Sequence, residues 1–182
     1  MPHPTVLRLL GTLEQEGYVR RAEGGWALAP QILEIGFAAL QSMGIDEFVQ
    51  DSLQRLADAC SGTVNLGERN RDEVIIIARA TGSAERGRLF IMNLRVGSTL
   101  SNSSALYGAL DLPADEWTVV PYPDRKLVSV GISLSSNGGR SLALGMSVDI
   151  DDYPSDRIEK EIVPLLRDER GEIRRLMLLG DI

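Results

Sequence analysis

The chain has 182 residues, 43% of them hydrophobic and 25% charged, with 26 acidic and 19 basic side chains for a formal net charge of −7. This is soluble globular composition with enough apolar residues for a core, and its acidity opposes nucleic-acid binding by the whole surface, because phosphate neutralisation needs clustered Lys and Arg. No apolar run is long enough to cross a bilayer and no leader opens the chain, a single cysteine, Cys60, excludes an internal disulfide, and a single histidine, His3, argues against a zinc site or a His-dependent triad. A cytoplasmic protein with no membrane partner, no metal and no cofactor is expected.

The opening segment predicts an amphipathic helix. From Pro4 to Gly17 the apolar residues Val6, Leu9, Leu10 and Leu13 follow the spacing of one helix face. Pro4 suits the first turn and Gly17 the left-handed stop, and Thr5, Arg8 and Thr12 fall on the other face. Tyr18–Arg21, Ala22-Glu23-Gly24-Gly25 and Trp26–Leu28 then read as strand, tight turn and strand. A helix followed at once by a short hairpin is the second half of a winged helix-turn-helix, whose helix enters the major groove and whose hairpin is the wing. Any α/β protein can also contain such a pair. Arg8, Arg20 and Arg21 are balanced by Glu14, Glu16 and Glu23, so charge does not decide between the two.

Pro30 opens a second amphipathic stretch that ends near Gly44. A further helix is expected from about Asp46 to Cys60, with Phe48, Leu53, Leu56 and Ala57 as its apolar face. After Gly62 the period shortens to two. Residues 63–68 and the β-branched 73–79 read as strands about a turn at 70–72, followed by a strand over 88–92, the segment Val96–Leu100 and a short helix from Ser103 to Leu110. Residues 131–134 and 141–148 flank a turn signal at 135–139, and a last helix, about 154–179, has Ile158, Ile162, Leu165, Leu166, Ile173 and Leu176 to bury. The fold class is thus α+β: a partial winged helix-turn-helix over 1–29, a linker helix over 30–44, and over 45–182 a GAF-like domain, helices around an antiparallel sheet with a ligand cavity.

The order of residues resembles the IclR family of bacterial transcriptional regulators. Pro4–Leu10 with Thr12-Leu13-Glu14 and Gly17-Tyr18-Val19 resembles the family's recognition-helix signature, and Trp26–Gly36 its passage from wing to linker. Asn65-Leu66-Gly67, Glu73-Val74-Ile75, Ala78-Arg79 and Val96–Leu100 are similar to the first part of its effector domain. Arg88–Leu94 before Val96-Gly97 resembles the branch that regulates aromatic-acid catabolism through the β-ketoadipate route. The resemblance covers nearly the whole chain and is weakest in its last third. It implies operator DNA and a small effector, an aromatic or short aliphatic acid, as partners, and a homodimer or dimer of dimers. The family carries two helices ahead of this recognition helix and a longer stretch before the final hairpin. A helix-turn-helix without those helices exposes Leu9, Leu10 and Leu13 to water, so segments of a longer protein are expected to have been closed up in this numbering; an intact mass equal to that of these 182 residues would refute this.

For DNA contact the candidates are Thr5 at the helix start, Arg8 for a guanine edge or a phosphate, and Arg20 and Arg21 for backbone phosphates, with solvated charge as the competing role. For the effector they are Ser103, Ser104 and Ala105, where a helix start and serine hydroxyls offer donors, and Ser147, which matches a pocket serine of the family. Plain capping is the competing role of Ser103 and Ser104. The family's Gly-Lys or Gly-Arg pair is replaced by Tyr107-Gly108. Gly145, Ser147 and Asp149 share a strand face; Asp149 would repel an acid, and fits a solvated strand end. Cys60 reads as a small buried residue.

Two functions of different class remain beside a ligand-responsive regulator: a stand-alone small-molecule-binding domain with a truncated DNA module, and an enzyme. No nucleophile–base pair or metal cluster supports the enzyme.

Overall fold

The computed structural model describes residues 2–83, 94–134 and 140–179. The chain divides into two compact units, Met1–Met43 and Gly44–Ile182. The strand expected at 88–92 and the turn at 135–139 lie outside the described residues.

In the first unit α1 (His3–Gln15) ends as its sequence requires. Gly17 takes φ +78°, its N–H donates to the Glu14 carbonyl, and the Tyr18 N–H reaches back to Leu13, the paired bonds that close a helix at a left-handed glycine. β1 (Val19–Ala22) and β2 (Gly25–Leu28) pair antiparallel from Val19↔Leu28 to Ala22↔Gly25, and Gly24 at φ +81° supplies the positive dihedral of the tight turn. α2 (Ile32–Ser42) follows. Neither α1 nor α2 has a buried residue, and Leu9, Leu13, Leu33 and Phe37 are exposed. Amphipathic spacing in this unit has made helices whose apolar faces lie open.

The second unit holds a six-stranded sheet in the order β5-β4-β3-β8-β7-β6, every neighbouring pair antiparallel. Its strands are β3 (Thr63–Asn70), β4 (Glu73–Thr81), β5 (Thr99–Leu100), β6 (Thr118–Tyr122), β7 (Leu127–Ser133) and β8 (Leu142–Asp149). α3 (Glu47–Ala59) and the C-terminal α6 (Val163–Leu179) pack on one face, and α4 (Ala105–Ala109) on the other. With both faces covered, β7 and β8 are buried almost end to end, which explains their nearly unbroken run of small and apolar residues.

Asp46 caps α3, its carboxylate accepting from the Val49 N–H at 2.9 Å. The buried stripe of that helix is Val49, Ser52, Leu53, Leu56 and Ala57. Phe48, expected on the apolar face, is instead 59% exposed. It sits one residue, about 100° of helix turn, ahead of Val49. The last helix is not one regular rod: a short turn α5 (Ser155–Arg157) leads through a π-helical segment, Ile158–Ile162, into α6. Ile158 and Ile162, at the two ends of the π segment, are both buried. β6 carried no expectation from the sequence; it is an edge strand, where its Pro121 is tolerated. Among the described residues no helix is long and apolar enough to cross a membrane, and no cluster of His, Cys, Asp or Glu could hold a metal ion.

Candidate ligand-binding site

On the face of the sheet that meets α4, the register brings two short rows together. Arg79 on β4, Asn65 on β3, Gly145 on β8 and Gly131 on β7 lie side by side, and so do Thr63, Ser147 and Ser129. The two glycines are required by close approach. A Cβ on Gly131 would stand 2.6 Å from the Ala105 carbonyl oxygen, and one on Gly145 would stand 2.9 Å from Leu106 Cδ2, so α4 seats on bare backbone. Beside that contact the sheet, the segment around Ser101–Leu106 and the β6–β7 corner enclose a cavity of about 390 Å³, a size that suits a small ligand.

The cavity wall mixes apolar side chains with hydroxyl and amide groups and is nearly free of formal charge. Ser129 and Ser147, both buried, share a hydrogen bond of 2.7 Å. Asn65, 4% exposed, accepts through Oδ1 from Arg79 at 2.5 Å. Ser104, also buried, accepts through its hydroxyl oxygen from the Tyr107 N–H at 3.2 Å, and Ser101 and Ser103 pair at 2.9 Å. The two charged lining residues, Asp124 and Arg125, are exposed and opposite in sign. Near them burial pushes the Tyr122 phenol up, with Arg125 opposing. The wall therefore offers hydroxyl and amide hydrogens to a ligand's oxygens while keeping ionised groups at the rim.

Ser103, Ser104, Ala105 and Ser147, named from the sequence, all line this cavity. α4 is only five residues long and its Ser104 side chain is engaged as the cap. Asp149 is not part of the wall; its carboxylate accepts from the Asp151 N–H at 2.8 Å at the strand end. Beside α4, Arg69 lies over the Tyr107 ring at 5.3 Å and pairs with Asp111, a hydrogen bond that raises its already high pKa. Asn65, Ser129, Tyr122 and Arg125 were not singled out. A period-two alternation of small and larger apolar residues, Ser129-Val130-Gly131-Ile132-Ser133, matches that of Gly145-Met146-Ser147 and is the signal that could have found Ser129.

In the other unit Thr5, Arg8 and Thr12 lie three and four residues apart along α1, and Arg8 is exposed. Arg20 is exposed on β1. Arg21 stacks over Trp26 at 4.0 Å and pairs with Glu14 at 3.6 Å.

No protein-family model matches the chain. It is 31% identical over 114 residues to the Pca regulon regulatory protein of Pseudomonas putida, across 63% of this chain and 38% of that protein. To the transcriptional repressor IclR of Escherichia coli it is 33% identical over 81 residues, across 42% of this chain and 30% of that one. The chain thus spans less than two fifths of the length of these curated relatives. Among solved structures, an IclR-family regulator from Brucella abortus matches with a TM-score of 0.73 and 23% identity over 95% of this chain and 79% of its own. An IclR homologue from Microbacterium hydrocarbonoxydans, solved in complex with 4-hydroxybenzoate, matches with a TM-score of 0.70 and 15% identity over 98% and 87%. The chain has the fold of IclR-type structures, helices with an antiparallel sheet, and its sequence relatives are IclR-type transcription regulators, the Pca match fitting the aromatic-acid branch.

Proposed function

We propose that the protein is a cytoplasmic transcription regulator of the IclR type whose hold on operator DNA is set by a small carboxylate-bearing metabolite. Residues 1–29 form the DNA-reading part of a winged helix-turn-helix, residues 30–44 the linker helix and residues 45–182 a GAF-like effector domain. Thr5, Arg8, Arg20 and Arg21 contact the duplex; Ser103, Ser104, Ala105 and Ser147 contact the effector; the chain acts as a homodimer or dimer of dimers and catalyses no reaction. The observation that carries this is the cavity itself, walled by donors, lined with little formal charge and set in a fold shared with a homologue solved with an aromatic acid. An effector acts by differential affinity for DNA-competent and incompetent states, so the two activities are linked.

A panel of aromatic and short aliphatic acids, including 4-hydroxybenzoate, is screened by melting temperature, since a compound that binds only the native form raises it. Selection from a random duplex library tests the DNA half. A stabilising acid and an enriched duplex whose affinity that acid changes are expected. A protein that is stabilised by no acid and enriches no duplex would not be such a regulator. One alternative is a small-molecule-binding protein with a truncated DNA module, for which the acid binds and no duplex is enriched.

A further inference from the structure

Asn65 is one of the few polar side chains buried in this unit, at 4% exposure, and it lines the cavity. Its two ends differ in availability. Oδ1 is taken by the Arg79 guanidinium at 2.5 Å, and the direction of that bond is not a free choice. Arginine has donors and no acceptor and keeps its charge at neutral pH, so the amide must turn its oxygen to Arg79 and its nitrogen away. The amide nitrogen has no hydrogen-bond partner among the described residues. Nor is it sealed off: of the side-chain polar atoms there that lack a partner, only Arg167 Nε is fully enclosed. Arg79 forms no ion pair among the described residues and is half-buried, so its charge sits behind the amide and polarises it. Register makes the arrangement rigid, since Asn65 and Arg79 are directly paired residues of β3 and β4.

We infer that Asn65, positioned by Arg79, is a specificity-determining residue of the cavity: it presents an N–H and no acceptor to the ligand, with the Arg79 charge behind it, and so favours an ionised carboxylate over a neutral carboxamide, whose carbonyl is the weaker acceptor and whose N–H₂ meets no acceptor on Asn65. The inference rests on the ligand-cavity reading above and names the wall that reads the acid. Arg79 is the positioning residue, since it does not line the cavity.

The test uses the 182-residue chain and three matched pairs of probes, benzoate with benzamide, 4-hydroxybenzoate with 4-hydroxybenzamide, and propionate with propionamide, by titration calorimetry. The wild type binds an acid more tightly than its amide by about tenfold, the gain of a charged over a neutral acceptor. Asn65→Asp is near-isosteric and keeps a bond to Arg79, but it replaces the donor by an acceptor, so the preference inverts in favour of the amide. Arg79→Met frees Asn65 to turn over, and the acid-to-amide ratio falls towards one with amide affinity maintained; a merely structural role for Arg79 would weaken both members of a pair alike. Ratios in the folded variants equal to those of the wild type overturn the inference and leave the cavity reading intact. Failure of all six compounds to bind the wild type overturns both.

Discussion

Ser129 on β7 and Ser147 on β8 hydrogen-bond to each other at 2.7 Å, side by side in register and both buried, so that two hydroxyls on the cavity wall satisfy one another and leave one hydrogen for a third group. Removing one of them strands its partner. Ser129→Ala or Ser147→Ala alone is expected to cost about 1 kcal/mol of stability. The double variant should cost clearly less than the two together, because with both gone nothing is left unpaired. Chemical denaturation of the four proteins gives the coupling energy; strict additivity would mean the hydroxyls do not hold each other in solution.

The seat of α4 depends on two glycines that are not equivalent. A side chain on Gly131 meets the Ala105 carbonyl oxygen, whereas one on Gly145 meets the flexible end of Leu106. Backbone cannot give way as a leucine can. Gly131→Ala is therefore expected to destabilise by about 1–3 kcal/mol, the usual cost of overpacking, and Gly145→Ala by less. Because α4 carries Ala105 and Leu106 into the cavity wall, Gly131→Ala should also weaken whatever acid the wild type binds. Denaturation midpoints for the two variants settle the order, and a Gly131→Ala protein as stable as wild type would contradict this seating.

Arg157 and Glu161 brace the entry to the last helix, with two bonds of 2.7 Å across the π segment. The hydrogen bond from Arg157, ahead of burial, which acts in the opposite sense, holds the Glu161 carboxyl below the ordinary carboxylate range. A carboxyl depressed in the folded state adds stability above its unfolded pKa, about 4.3, and that stability is lost as pH falls from there through the folded value. Glu161→Gln should accordingly melt below the wild type at pH 7 and approach it in acid. The pair is exposed, so the gap is small. A melting difference that stays constant between pH 7 and pH 3 would show that the carboxylate's charge plays no part.

Much of this architecture is written in local pattern. The α1 stripe, Gly17 as a stop and Gly24 in the turn follow from helix spacing and from dihedrals that glycine alone takes freely. The cavity is less legible, because its members come from five strands, and side-by-side placement of Arg79, Asn65 and Gly145 is a matter of register rather than spacing. Ser103, Ser104, Ala105 and Ser147 were within reach through resemblance to a family. Asn65 was not, since an asparagine in a strand looks the same from sequence whether its amide is bonded to a neighbour or aimed at a ligand. Phe48 failed for a different reason: adjacent apolar residues, Phe48 and Val49, could each head the helix stripe, and only packing against the sheet chose Val49.

Arg8 and Arg21 divide the proposed work on DNA differently from what their charges alone suggest. Arg21 is held against Trp26 and Glu14, so it meets a duplex with part of its charge already answered and its plane already stacked. Arg8 is exposed on α1 with no ion pair among the described residues. Under the regulator reading, Arg8→Ala should lower affinity for an enriched duplex by about 1–3 kcal/mol and relax discrimination at one base position, the signature of a lost base contact. Arg21→Ala should weaken all sequences alike and reduce the salt dependence of binding by about one ion. Anisotropy titrations of both variants against the selected and a scrambled duplex, at several salt concentrations, separate the two roles. Equal losses on both duplexes for Arg8→Ala would move it from reading bases to holding phosphates, and no loss at all would remove α1 from the groove.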